Sequence, residues 1–114
     1  MADDVVYINV NEGLKRVLNN SKLFAKLLTK FKNETVMQEL ENDFANNDIE
    51  KAKIHSHTLK GLAANLSLTE LYKQVVELET QIKAGSLNAE QMALVKSVYI
   101  QTLTEADKVI EKYA

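Results

Sequence analysis

The chain of 114 residues contains no cysteine, no proline and only three glycines. Without cysteine, a disulfide framework, a thiolate metal site and a cysteine nucleophile are all excluded. The absence of proline and the scarcity of glycine disfavour a turn-rich β fold and favour long uninterrupted helices. The composition therefore indicates a helical protein whose stability comes from apolar packing.

A strong charge of one sign and long apolar runs are also absent. The 14 basic and 16 acidic residues give a formal net charge of −2 and are spread along the chain, so we expect no nucleic-acid partner. No apolar run approaches the ~20 residues that a membrane-spanning helix needs, so we expect no membrane contact. The acidic start Met1–Asp4 is unlike a signal peptide. We therefore expect a cytoplasmic protein with one domain over residues 1–114.

Apolar residues recur at helical spacing along almost the whole chain, and no useful strand alternation interrupts them. A short leading helix is predicted to begin at Asn9, and four longer amphipathic segments follow it. The predicted fold is all-α: an up-and-down antiparallel four-helix bundle with a short additional N-terminal helix. The clearest bundle seam is formed by Leu68, Leu71, Val75, Leu78 and Ile82.

Polar residues and glycine mark the ends of these helices. Ser21 is predicted to cap the second segment, and Asp48 to cap a helix that runs to about Leu66. Ser67 and Glu70 have the spacing of a capping box at the start of the next helix. Gly85 is predicted to end that helix, because glycine readily takes the left-handed conformation.

The helix predicted from Asp48 to Leu66 carries the segment His57-Thr58-Leu59-Lys60-Gly61. Because helical positions three and four apart share a face, His57, Lys60 and Gly61 form one patch. A neutral imidazole is a competent nucleophile near pH 7, and a lysine ammonium binds phosphate as a point charge.

Gly61 is unusual because glycine inside a helix costs about 0.5–1 kcal/mol relative to alanine. Two explanations are open: a tight contact with another helix of the bundle, or access for a partner's backbone to His57. The second explanation fits a position that shares the outward face of His57.

The whole run from Ala52 to Leu68 resembles the histidine-containing phosphotransfer (HPt) domains of bacterial phosphorelays. The family pattern is His-x-Leu-Lys-Gly, followed by small residues and a Leu-Gly turn. The chain departs from it at Ser67, where the family usually has glycine, and at Ser56, where alanine is common. It matches at His57, Leu59, Lys60, Gly61, Ala63, Ala64 and Leu66.

The resemblance implies a four-helix bundle in which His57 is the phosphorylation site. It also implies that Lys60 stabilises the phosphate, and from its place beside His57 we expect Gly61 to give clearance for docking. The expected function is a phosphocarrier, not an enzyme, that relays a phosphoryl group between aspartates of response-regulator receiver domains. We expect this phosphocarrier to need no nucleotide and no cofactor of its own. The Mg²⁺ would belong to the receiver domain. We expect a monomer, either free-standing or part of a hybrid sensor kinase.

Two other functions are compatible with a histidine on a helical bundle. The first is the dimerisation fragment of a sensor kinase, but those proteins usually carry an acidic residue directly after the histidine and a nearby proline. Here Thr58 follows His57, and the chain has no proline. The second is an inert helical interaction domain, which leaves the His–Lys–Gly patch without an explanation.

His55 raises the question of a metal site shared with His57. Residues two apart on a helix point ~200° from each other, so these two rings cannot chelate one ion. His55 falls nearer the apolar side of the helix, and we expect it to be packed or half-buried. No metal site is therefore predicted.

Overall fold

The computed structural model describes residues 5–114 and confirms an all-helical protein, with no strand in that range. Six helices are present in the described part of the chain, where the sequence predicted five segments. The difference lies at residues 33–35, where the chain turns and divides the second segment into two helices. In chain order the helices are α1 (Val10–Arg16), α2 (Ser21–Lys32), α3 (Val36–Ala45), α4 (Ile49–Asn65), α5 (Thr69–Lys83) and α6 (Ala89–Tyr113).

Most predicted helix ends are found within one residue of their expected place. The Asp48 carboxylate accepts a hydrogen bond from the first turn of α4 at 3.1 Å, and Gly85 has a left-handed φ of 96° after α5. The cap of α2 is Asn20 and not Ser21, because it is the Asn20 side chain that accepts from the amide of Leu23.

The predicted capping box of Ser67 and Glu70 is wrong. Ser67 has a φ of 57°, and the amide of Leu68 donates back to the carbonyl of Ala63 at 2.9 Å. This is the left-handed ending of α4, so Ser67 cannot adopt the extended backbone of an N-cap. Leu68 takes the cap position of α5 and offers no side-chain hydrogen bond.

Helix α4 lies between α3 and α5, and α6 packs against both α5 and α2. Helix α3 also touches α6, so α3, α4, α5 and α6 form a closed ring of contacts, and buried side chains of α2 join the same apolar core. The side chains of α4 that enter this core are small apart from one leucine: Ala52, Ser56, Leu59 and Ala63. Small residues let the neighbouring helices approach closely and leave a broad strip of α4 at the surface.

None of the helices in residues 5–114 combines the length and apolar character that a membrane span requires.

Candidate functional site

His57 lies at the middle of α4, and its side chain is 70% exposed. Its Nδ1 atom is 3.0 Å from Oε2 of Glu79 on α5. Because an ionised carboxylate only accepts hydrogen bonds, Nδ1 must be the protonated nitrogen in this contact. A neutral ring then carries its lone pair on Nε2. The contact therefore leaves Nε2 as the ring nitrogen of this exposed imidazole that is available to act as a nucleophile.

Glu79 is the centre of the site, although its side chain is only 5% exposed. Besides His57, Lys60 Nζ lies 2.6 Å from Oε1 and Lys83 Nζ lies 3.5 Å from Oε2. Burial alone would raise the pKa of Glu79, but hydrogen bonds from Lys60 and His57 and the charges of Lys60 and Lys83 lower it. Glu79 is therefore held as a carboxylate that can keep His57 oriented.

Lys60 lies one turn after His57 but directs its ammonium to Glu79. Its hydrogen bond to that carboxylate raises the pKa of Lys60, against a smaller opposing effect of desolvation. The side chain is thus a permanent cation beside His57, and among the described residues its ion-pair partner is Glu79. A phosphate role for Lys60 remains a prediction.

Gly61 is exposed, and a Cβ built on it meets no atom of residues 5–114 within 4 Å, apart from its own helical backbone and its two chain neighbours. The contrast is Gly13 of α1, where a Cβ would lie 2.5 Å from Cζ of Phe24. Gly13 is therefore a packing glycine and Gly61 is not. A tight contact within the bundle therefore does not explain why a glycine, which destabilises a helix, occupies position 61. The explanation that stays open is access for a partner's backbone to His57.

Apolar side chains also lie at the surface near His57, which sequence reasoning did not identify. Ile54 precedes His57 by one turn of α4 and is 63% exposed. Tyr72 of α5 is 42% exposed, and it lies near enough to Lys60 to contribute to the raised pKa of that lysine. Protein interfaces bury apolar groups of this kind at their centre.

His55 is half-buried, as predicted, on the side of α4 that packs against α3. Its Nδ1 atom is 2.5 Å from Oδ2 of the buried Asp43, and its Nε2 atom is 4.0 Å from Oε1 of Glu39. His55 and His57 thus point to different helices, which agrees with the helical geometry. In residues 5–114 no cluster of histidine and acidic side chains is arranged to hold a metal ion.

Glu79 is the residue of the site that sequence analysis missed. A weak signal existed, because Glu79 follows Leu78 in the apolar seam and has Lys83 four residues later. Its separation of 22 residues from His57 gave no indication of contact. Only the register of α5 against α4 brings the two together.

Comparison with known proteins identifies the family. A family model described as the Hpt domain matches residues 26–109, which is well over half of the chain and includes all of α4 and α5. No curated protein and no solved structure gives a significant match. The chain therefore belongs to the Hpt domain family, whose members are phosphocarrier modules of histidine phosphorelays.

Proposed function

We propose that this chain accepts a phosphoryl group from the aspartate of one receiver domain on His57 and passes it to the aspartate of another, in the cytoplasm. The observation that carries the proposal is the exposed imidazole whose Nδ1 is held by the buried Glu79. Membership of the Hpt domain family supports the same reaction.

The proposed step is a direct displacement at phosphorus. Nε2 of His57 forms the N–P bond while the bond from phosphorus to the receiver's aspartate oxygen breaks, and the aspartate leaves as a carboxylate. The ring gains positive charge, which the nearby Glu79 carboxylate offsets through Nδ1–H. Transfer to the second receiver is the reverse reaction. Such transfers depend mainly on positioning and charge neutralisation, and the receiver supplies Mg²⁺.

Two neighbours of His57 have proposed supporting roles. The Lys60 ammonium can leave Glu79 and neutralise a phosphoryl group on Nε2, since the two positions are one helical turn apart. The bare surface at Gly61 lets the backbone of the receiver come close to His57. Both roles require a partner that covers this face of α4.

We further propose that residues 1–114 form one monomeric domain in which α3 to α6 make an up-and-down antiparallel four-helix bundle. The short connections between these helices and the ring of contacts that α3 closes with α6 support this arrangement. Helices α1 and α2 are then both additional to the bundle, where the sequence predicted one short additional helix, and α2 packs on α6.

The test is to present the chain to a panel of receiver domains phosphorylated on aspartate. We expect at least one to transfer its phosphoryl group rapidly, and mass spectrometry at alkaline pH to locate the label on His57. A label on His55, or none from any receiver, would contradict the proposal. A parallel incubation with isolated histidine-kinase catalytic domains and ATP tests the alternative, since a kinase dimerisation fragment is labelled there instead.

A further inference from the structure

A second candidate site lies at the corner where α4 ends and α5 begins. Here an open cleft of about 250 Å³ lies between that corner and α1. Its apolar wall includes Ala63 and Leu68. The side chains used in the argument below are Glu12, Arg16, Ala64, Ser67, Thr69 and Tyr72.

Ser67 is the unusual residue of this cleft. Its φ of 57° lies in the left-handed region, which the Cβ of any residue other than glycine disfavours. The residue is only 4% exposed, and its Oγ has no hydrogen-bond partner among the described residues. Glycine at this helix ending would avoid both the backbone strain and the buried hydroxyl. The serine hydroxyl therefore calls for a partner that residues 5–114 do not provide.

The first turn of α5 borders the same cleft through Thr69 and Tyr72. Helix α5, like α3, has no side-chain cap, whereas α2, α4 and α6 are capped by Asn20, Asp48 and Asn88. Uncapped amides at a helix N-terminus attract negative charge.

Charged side chains of α1 at this cleft restrict the charge of the ligand that it can bind. Arg16 brings a guanidinium to the cleft, and this group forms paired hydrogen bonds with carboxylates. Glu12, one turn before Arg16, is the acidic side chain of the lining, and Glu70 nearby has its carboxylate bonded by Gln74. These two negative charges disfavour a dianion such as phosphate. A single carboxylate on an apolar stem fits the cleft better.

The cleft lies on the face that carries His57. Ala64 comes seven residues after His57 on α4, and Tyr72 comes seven residues before Glu79 on α5. Seven residues are two helical turns, so the cleft is displaced by roughly 10 Å along both helices from the His57–Glu79 contact. A docked protein commonly covers about 800 Å² of its partner, which includes a site at this distance.

We propose that this cleft anchors an acidic side chain of the receiver domain that docks on His57. In this arrangement the carboxylate meets Arg16 and the first amides of α5, and Ser67 turns about χ1 to donate its hydroxyl. The inference rests on the proposed function, because it takes the receiver as the docking partner. It assigns Ser67 and Arg16 to receiver binding, away from the phosphoryl group.

The first experiment measures initial transfer rates against the concentration of the receiver that proves the fastest donor. We expect Arg16→Gln and Ser67→Gly to raise KM by about three- to tenfold, mainly without a fall in kcat, because one charged or polar contact is lost. Ser67→Ala separates the hydroxyl from the backbone effect and should match Ser67→Gly. Lys15→Gln is the matched control, an exposed cation beside Arg16 that does not line the cleft. Parental KM values for both Arg16→Gln and Ser67→Ala would overturn the proposal.

The second experiment uses the chain alone, so it does not depend on any receiver. Sodium acetate is titrated at constant ionic strength while the amide resonances of Thr69, Glu70 and Leu71 are followed by NMR. We expect saturable shifts that weaken in Arg16→Gln and Ser67→Gly, and smaller shifts with inorganic phosphate. The absence of saturable acetate shifts would overturn the carboxylate assignment. Acetate binding together with parental KM values would instead indicate a small carboxylate ligand and contradict the docking role.

Failure of the proposed function gives a different result. If no receiver transfers its phosphoryl group to His57, the relay is wrong, whatever the acetate titration shows.

Discussion

Helix α4 carries two histidines, two residues apart, and each directs Nδ1 at a buried carboxylate of a neighbouring helix. The distances are 2.5 Å from His55 to Asp43 and 3.0 Å from His57 to Glu79. The two sides differ at the other nitrogen. Nε2 of His55 lies 4.0 Å from Glu39 in a side chain that is 23% exposed, whereas the His57 side chain is 70% exposed.

The comparison gives physical reasons to propose His57, and not His55, as the phosphoryl acceptor. Both pairs fix an imidazole ring, but only on the α5 side do two lysines share the carboxylate, Lys60 and Lys83. On the α3 side the second nitrogen faces another acid, which would repel a phosphoryl group. Exposure and the sign of the surrounding charge therefore separate the two histidines.

The largest expected effect comes from replacing each histidine in turn. His57→Gln should abolish acid-labile labelling by a phosphorylated receiver and change the free energy of unfolding by no more than about 0.5 kcal/mol, because the site is exposed. His55→Gln should keep the label but destabilise the protein by about 1–3 kcal/mol, because Asp43 loses its partner. Labelling assays and thermal melts of both variants check this. The comparison breaks if the label is lost only in His55→Gln.

Removing each carboxylate sharpens the comparison next. Glu79→Gln should slow transfer by about tenfold, because the amide accepts from Nδ1 more weakly and no longer offsets charge on the ring. Asp43→Asn should leave the transfer rate near that of the parent and lower the melting temperature. Imidazole ¹⁵N NMR provides the structural readout, since the Nδ1–H form of His57 should lose population in Glu79→Gln only. Equal transfer rates in the parent and Glu79→Gln would remove Glu79 from the reaction.

The cation beside His57 gives a smaller expected effect. Lys60→Ala should slow transfer and shorten the phosphohistidine lifetime by up to about tenfold without preventing labelling, because the charge contact is partly exposed to solvent. Lys83→Ala is the control, since Lys83 lies farther from the Glu79 carboxylate. The measurement is the transfer rate in both directions and the decay of the label. If the transfer rates and the decay of the label are unchanged, Lys60 has no role toward the phosphoryl group and only forms the ion pair with Glu79.

Acid should weaken the Glu79 cluster in a predictable direction. The pKa of Glu79 is below its ordinary value of 4.5 in the folded chain, so its ion pairs contribute fully above that value. Their contribution is lost as the pH falls through the lowered pKa. Urea unfolding from about pH 5 to pH 3 should therefore show a steeper loss of stability in the parent than in Glu79→Gln. Parallel curves would mean that the folded environment leaves this carboxylate unperturbed.

The sequence was sufficient for features that depend on the period of one helix. The shared face of His57, Lys60 and Gly61, and the turning of His55 to another side, follow from 3.6 residues per turn. Contacts between helices could not be predicted from the sequence, because they depend on the register of α5 against α4. Glu79 was missed for this reason.

The ending of α4 was misread for a different physical reason. The same serine can serve as the N-cap of one helix or as the left-handed ending of another. Ser67 forms the left-handed ending of α4, because α4 and α5 are separated by only three residues and the chain must reverse within them. Local polar residues predicted that a boundary lies here, but not which helix would use Ser67.

A small gain in stability is expected at the glycine beside His57. Gly61→Ala should stabilise the fold by about 0.5–1 kcal/mol, because a Cβ here meets none of residues 5–114 outside its own helix and alanine favours the helix. The melting temperature should rise by a few degrees. Gly13→Ala is the matched control and should destabilise by about 1–3 kcal/mol, because its Cβ would clash with the buried Phe24. Destabilisation by Gly61→Ala would show that the His57 side is packed in solution.

A larger residue at the same position separates folding from docking. Gly61→Gln should fold at least as well as the parent, since glutamine is a good helix former and the space is open. It should nevertheless accept phosphoryl groups from receivers poorly, because its side chain stands where the partner's backbone must approach Nε2 of His57. Phosphoramidate needs no protein docking, so its labelling of His57 should fall much less. If Gly61→Gln exchanges phosphoryl groups with receivers at the parental rate, the glycine is not needed for close approach of the receiver to His57, and the docking role of Gly61 is wrong.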